Sequence, residues 1–207
     1  WMNANCGDID FIGNKKPQSF YRDVVWRRSK IELFTEKSIP EGMKEYVNDW
    51  GWPDITKSWN WPGEENKNVQ VIVYTRCQLV KLELNGKVVG EQTIPENSIT
   101  ATFSIPYQPG KLIAKGYDNG KEVASTFLET VGAPAAIRLK ADRKKIKADR
   151  YDLSYVDVEI LDDKGNYVST AENIEVNYTI SGNGEIAGVG NGNPKDISSF
   201  QQPHKKV

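Results

Sequence analysis

Between Val69 and Thr130 apolar and polar positions repeatedly change places at every second residue, the period of a half-buried strand. Val69-Gln70-Val71-Ile72-Val73-Tyr74 departs from that rule. Its β-branched residues run almost without interruption, which predicts a strand covered on both sides. From Leu79 to Asn85 the alternation is regular, with Val80, Leu82 and Leu84 on one face and Lys81 and Glu83 on the other. Asn85-Gly86 supplies the positive φ values of a type I′ turn, so Lys87-Val88-Val89 is predicted to fold straight back. Ile99–Ile105 alternates again, and Pro109-Gly110 marks a turn before the strand Lys111–Tyr117. Asp118–Lys121 makes a second hairpin turn, and Glu122–Thr130 closes the unit. Short strands with evenly spaced turn signals predict an antiparallel sandwich over 67–131.

The flanks read differently. Pro17 pre-sets the first turn of a helix, and Phe20, Tyr21, Val24, Val25 and Arg28 follow at helical spacing. That stripe needs a surface to cover, and residues 1–35 are read as one segment. Residues 36–66 form a tryptophan-rich linker holding Trp50, Trp52, Trp59 and Trp61. These rings suit either a sugar-stacking platform or the pinning of two domains together, and packing is favoured because they sit at a domain junction. Val131-Gly132-Ala133-Pro134 opens a second β-unit over 132–207. Its expected strands are Ile137–Ala141, Leu153–Leu161 and Ile174–Ile180, with a solvated charged connection over 142–150. An immunoglobulin-like sandwich needs about seven strands, more than this stretch supplies, so it reads as truncated with exposed edges.

Charge and composition narrow the chemistry. With 27 basic and 28 acidic side chains the formal net charge is −1, which gives no electrostatic case for nucleic acid or an anionic membrane. No apolar run approaches the roughly 20 residues of a membrane span, and no signal-peptide pattern opens the chain. Cys6 and Cys77 suggest no framework or metal site by their spacing and are read as two buried thiols. His204 is the single histidine, which argues against histidine-based triads and metal centres. No cofactor is implied.

Two motifs have ordinary explanations, and an acidic pair passes on geometry alone. Asp162-Asp163-Lys164-Gly165-Asn166 looks like part of a calcium loop, but no glutamate completes the spacing, so it reads as a hairpin turn. Gly182-Asn183-Gly184-Glu185-Ile186-Ala187 fits a dinucleotide pattern whose following helix the later glycines and Pro194 forbid. Asp8 and Asp10 stand two apart, about 7 Å on one face of a strand, within the roughly 6.5–9.5 Å that inverting glycoside hydrolysis uses.

Three stretches carry a family resemblance. WNWPGEE followed by VQVIVYTRCQLVKLELNGKVVG resembles the β-sandwich after the catalytic barrel in bacterial family 2 glycoside hydrolases of the β-galactosidase type. GDIDFIGNKKPQSFYRDVVW is similar to the segment that closes that barrel, and PAAIRLKADRKKIKADRYDLSYVDVEILDDKGN to the immunoglobulin-like domain beyond. The resemblance implies a mainly β chain: tandem immunoglobulin-like antiparallel sandwiches preceded by a helical remnant of a (β/α)8 barrel. It also implies a non-catalytic C-terminal part of a retaining exo-glycosidase acting on terminal β-galactosides. The family's two catalytic glutamates lie on earlier barrel strands, so no catalytic residue is expected here and the part alone should be inactive. Trp1, Asn5 and Asp8 become candidates for the rim of the sugar pocket. Asn14 and Lys16 match an Asn-x-Lys that holds the sugar carboxylate in related β-glucuronidases, although Pro17 follows at once and favours helix entry.

Further implications concern setting and partners. Carbohydrate is expected to bind through the parent's catalytic domain, the sandwiches to support a homo-oligomer, and the parent to be periplasmic or secreted. Two alternatives stay open: a stand-alone carbohydrate-binding or adhesion module, and a β-glucuronidase parent.

Overall fold

The computed structural model describes residues 7–36, 39, 42–47, 51–193 and 196–206. Pro17 opens helix α1 (Pro17–Val25), with Lys16 extended at its N-cap. Strands β1 (Ile31–Glu36) and β2 (Ile55–Thr56) follow. The predicted set comes next: β3 (Asn68–Thr75), β4 (Leu79–Leu84), β5 (Lys87–Thr93), β6 (Thr100–Pro106), β7 (Lys111–Asp118) and β8 (Lys121–Glu129). They form two four-stranded antiparallel sheets, ordered β2-β1-β3-β6 and β5-β4-β7-β8. β1 and β2 come from stretches that the sequence reading set apart as barrel segment and linker. They join because each presents apolar residues to β3 or beside it: Leu33 pairs with Val73 and Phe34 with Ile72.

β3 explains its own composition. Val69, Val71 and Val73 point into the sandwich, where they meet Val80, Leu82, Leu84, Phe103, Ile105 and Leu112. Ile72 and Tyr74 point the other way and meet Val24 of α1, Phe34 and Ile55. The helix therefore covers the outer face of the sandwich's own sheet, which is the surface its stripe lacked in the sequence. Phe20, Tyr21 and Val24 carry that contact, whereas Val25 is left 37% exposed as the helix ends. The outer face of the opposite sheet mixes ion pairs with apolar residues, as the Lys115–Glu83 pair at 2.7 Å beside the cross-strand pair Ile113 and Phe127 illustrates.

Both hairpin turns have the expected geometry, with Asn85 and Asn119 at φ 51° and Gly86 and Gly120 at φ 80° and 75°. Asn85 does more than turn. Its side chain donates to Pro109 O at 3.0 Å and accepts from Lys111 N at 2.9 Å, which ties this hairpin to the start of β7. Gly110 stands beside it at φ +136°, where a Cβ would fall 1.9 Å from Asn85 Oδ1.

Two compact units divide the chain: residues up to Thr130 with those from Asn173 onward, and Val131–Glu172. In the second unit β9 (Ala136–Ala141) and β10 (Val156–Leu161) form an antiparallel ribbon. Asp162 then anchors the predicted turn. Its carboxylate accepts Gly132 N at 2.9 Å, Lys164 N at 2.9 Å, Asn166 N at 2.8 Å and Asn166 Nδ2 at 3.1 Å. With those donors, Gly132 first, the carboxyl is held down at about 2.

In the first unit β11 (Glu175–Asn177) pairs with β12 (His204–Lys206). Where the sequence predicts a second sandwich, the described residues thus form two separate two-stranded ribbons. The described residues of the Gly/Asn-rich stretch before β12 form no helix, and a Cβ at Gly192 would lie 2.6 Å from Asp10 Oδ2, so its glycines allow close approach. Lys205 is buried there with its ammonium satisfied: it donates to Asp196 Oδ2 at 3.2 Å, Ser198 O at 3.0 Å and Ser198 Oγ at 2.5 Å.

Two outcomes follow from these contacts. Gly110→Ala should lower the urea midpoint by the equivalent of about 1–3 kcal/mol. Gly120→Ala, also at positive φ but with open space around its Cβ, should cost less. For Asp162, whose folded pKa is depressed, the stabilisation is complete above the unfolded value of about 3.9. It is lost as pH falls through about 2. The Gly132 amide resonance should therefore titrate with a midpoint near 2, and a midpoint near 4 would contradict the assigned hydrogen bonds.

Candidate functional site

Of the three residues singled out for a sugar-pocket rim, the stretch from Gly7 to Asp23 holds Asp8. Trp1 and Asn5 lie outside the described residues, as does Cys6. Asp8 is described, and its carboxylate pairs with the Arg22 guanidinium on α1. Asp10 serves its own turn, with Oδ1 accepting Ile12 N at 3.0 Å and Asn14 N at 2.8 Å. An Ile9–Lys15 bridge closes that turn, and Lys16 N donates to Asp8 O at 2.9 Å. The segment is therefore a tight reversal leading into a helix, with one bridge in place of a strand. Asp8 and Asp10 are each engaged by a local partner, Asp8 by Arg22 and Asp10 by the backbone of its own turn.

Within the Asn14-Lys15-Lys16 motif the fold engages the Lys15 side chain. Lys15 Nζ contacts Asp23 Oδ2 at 2.6 Å and lies 5.5 Å from the Phe20 ring. Lys16 occupies the N-cap, with Gln18 Nε2 two residues later donating to Gly7 O at 2.5 Å. Arg22, Asp23 and Gln18 are the partners that the sequence did not single out. Their helical positions i, i+4 and i+5 from Gln18 were visible, but the turn they hold was not.

The tryptophans divide by burial. Trp59 is fully buried, with Nε1 donating to Gln108 O at 2.9 Å and its ring 5.0 Å from Tyr107. Trp61 Nε1 donates to Thr35 Oγ1 at 3.0 Å, and Thr35 Oγ1 in turn donates to Ser58 O at 2.5 Å. Trp52 belongs to a chain of rings beneath α1, 5.4 Å from Tyr21, which lies 5.2 Å from Tyr74. Burial there pushes the Tyr74 hydroxyl up to about 12. Trp50 lies outside the described residues. Trp59 and Trp61 thus fasten the linker to the sandwich, Trp59 with its ring wholly buried and Trp61 with its ring partly buried.

Other chemistry is sparse. Cys77 is a free, buried thiol raised by desolvation. Among the described residues no three His, Cys, Asp or Glu side chains gather as metal ligands would. No described helix is long and apolar enough to cross a membrane.

Comparison with known proteins gives the setting. Residues 137–207 match the family described as glycoside hydrolase family 2 C-terminal domain 5, and 66–124 match a domain of unknown function. The chain is 39% identical over 205 residues to a β-galactosidase of Bacteroides ovatus, covering 96% of this chain and 23% of that enzyme. It is 32% identical over 179 residues to a β-glucuronidase of Formosa agariphila, covering 85% of this chain and 16% of that protein. Among solved structures, a glycosyl hydrolase family 2 member from Bacteroides cellulosilyticus superposes with a TM-score of 0.88 at 38% identity. That match covers 98% of this chain and 27% of the other. The chain thus spans about a quarter or less of the length of these relatives.

The contrast between pinned ring and surface carboxylate is testable by chemical denaturation. Trp59→Ala should cost about 3–5 kcal/mol through lost burial and the cavity left behind. Asp8→Asn, which removes a half-exposed ion pair, should cost less than about 1 kcal/mol.

Proposed function

We propose, for a chain that belongs to glycoside hydrolase family 2 through its C-terminal region, a structural and accessory role in an enzyme that removes terminal β-galactosides. The parent would work by retention. One glutamic acid would protonate the glycosidic oxygen while a second carboxylate attacks the anomeric carbon, and water would then release the sugar. Both groups would come from parts of the parent outside this chain. The similarity to a β-galactosidase across 96% of the chain carries the reading. Two features of the molecule support it. Asp8 and Asp10 are committed to an ion pair and a turn, which leaves them poorly suited to act as acid and nucleophile. Ile9, Phe11, Ile12 and Trp26 are between 46% and 64% exposed, the kind of apolar surface with which a segment meets the rest of a larger domain.

A β-glucuronidase parent is the second reading, favoured by the similarity to the Formosa agariphila protein. In it Asn14 and Lys16 would face the sugar carboxylate, a role for which a lysine point charge is chemically apt. Asn14 is exposed, which keeps it accessible, while Lys16 sits at the helix cap. Trp1, Asn5 and Asp8 remain proposed contributors to the pocket rim, and a periplasmic or secreted location and a homo-oligomeric parent are proposed with them.

The test is an assay of the full-length gene product on aryl β-galactoside and aryl β-glucuronide, beside the 207-residue chain alone. The full-length product should cleave the galactoside and the chain alone neither substrate. Exclusive cleavage of the glucuronide would transfer the assignment to the second reading. Hydrolysis by the chain alone would overturn the accessory role. A saturable change of tryptophan fluorescence in the isolated chain with lactose would favour a stand-alone binding module.

A further inference from the structure

Four Asn-Gly steps punctuate the chain, at Asn85, Asn119, Asn183 and Asn191. The first two make the hairpin turns, and the other two lie in the Gly/Asn-rich stretch. Asparagine is thermolabile. Its side-chain amide is most vulnerable where glycine follows, because a main-chain nitrogen with no Cβ beside it can swing onto Cγ. Whether the two atoms meet depends on what holds them apart.

Three of the steps are held. Asn85 donates Nδ2 to Pro109 O at 3.0 Å and accepts Lys111 N on Oδ1 at 2.9 Å. Asn191 donates Nδ2 to Asp196 Oδ2 at 2.8 Å and to Lys206 O at 2.7 Å, and its Oδ1 accepts Asn193 N at 3.1 Å. Asn119 is fixed through its main chain. Its N donates to Gln78 Oε1 at 2.9 Å, and Asp118 pairs with Lys121 across the turn.

Asn183 is not held in this way. It sits in a bend outside any strand or helix, exposed together with Gly182 and Gly184. Neither its side chain nor the Gly184 amide has a hydrogen-bond partner among the described residues. Gly182, at φ +96°, turns the chain just before it. The anchors lie further out, where Tyr178 N donates to Pro203 O at 2.8 Å and Val189 N to Phe200 O at 2.7 Å. Gly184 N can therefore reach a near-attack position on Asn183 Cγ without disturbing a strand or the core.

We infer that Asn183-Gly184 is a self-modifying site, at which asparagine becomes aspartate and isoaspartate in the folded chain. Gly184 N bonds to Asn183 Cγ as the bond from Cγ to Nδ2 breaks. The proton of the Gly184 amide, passed through solvent, leaves with that side-chain nitrogen as ammonia. The resulting succinimide takes up one water and opens at either carbonyl. An amide and a water thus become a carboxylic acid and ammonia, with no change of oxidation state. The product places a new carboxylate beside Glu185 in a chain of net charge −1. In the isoaspartyl form the main chain runs through the former side-chain carbon. The site rests on this chain alone and is independent of which bond the parent cleaves.

Incubation of the folded 207-residue chain in mildly alkaline buffer tests it, read by mass spectrometry of peptides cut after glutamate. Cleavage after Glu175 and Glu185 parts Asn183 from Asn191. The peptide holding Asn183 should be first to exchange NH2 for OH, in both aspartyl and isoaspartyl forms. Asn85 and Asn191 should react at least about fivefold more slowly, because each must first release two or more hydrogen bonds. In guanidinium, where those bonds are gone, the rates of the Asn-Gly steps should converge. Asn183→Gln, whose longer side chain would have to close a larger ring, should remove the early acidic species seen on anion exchange. Asn183 left intact in the folded chain while the unfolded chain reacts would overturn the site. So would reaction at Asn85 or Asn191 that keeps pace with Asn183, or persistence of the early acidic species in Asn183→Gln.

Discussion

The first unit depends on β3 being buried from both sides. Its inward valines close the sandwich core, and its outward Ile72 and Tyr74 hold α1 through Val24, Phe20 and Tyr21. A strand with one solvated face would alternate, and this one does not, because helix and opposite sheet each claim a face. The dependence runs further along the chain. β1 pairs with β3 over six residues and carries Thr35, to which Trp61 is fastened, while β6 pairs with its other edge. Loss of apolar character on either face of β3 would therefore undo more than a local contact.

This arrangement changes the meaning of the helix. By family resemblance it is the end of a barrel, and an amphipathic helix without its barrel would be an unsupported element. Here the side chains that a barrel helix would bury are satisfied by the sandwich, while Ile9, Phe11, Ile12 and Trp26 stay on the surface. The helix is thus a shared part, covering the sandwich and leaving an apolar edge beside it.

Much of this was legible in the residues. Asn-Gly turns and period-2 alternation located β3 to β8, because hairpin register is set locally by turn chemistry and by which face is apolar. The Val69–Tyr74 run, interrupted only by Gln70, correctly signalled two-sided burial. β1 escaped notice: Ile31–Glu36 has no turn signal on its N-terminal side, and its partner strand lies more than thirty residues on. Long-range pairing leaves no local mark. The candidate rim was legible only as residue types. That Asp8 would be taken by Arg22 and Asp10 by its own turn depends on backbone geometry that spacing alone does not fix. The 142–150 run, read as solvated charge, is exposed throughout in the folded connection, with Asp149 accepting from the backbone of Tyr151.

Native-state hydrogen exchange on α1 and β3 tests the central claim most directly. If the helix is an integral layer of the sandwich, the amides of Arg22 to Val25 should be protected to nearly the same free energy as those of Val71 to Val73. Exchange of the helix at unfolded-peptide rates while β3 stays protected would contradict the claim. The helix would then be an ornament on a sandwich that stands without it.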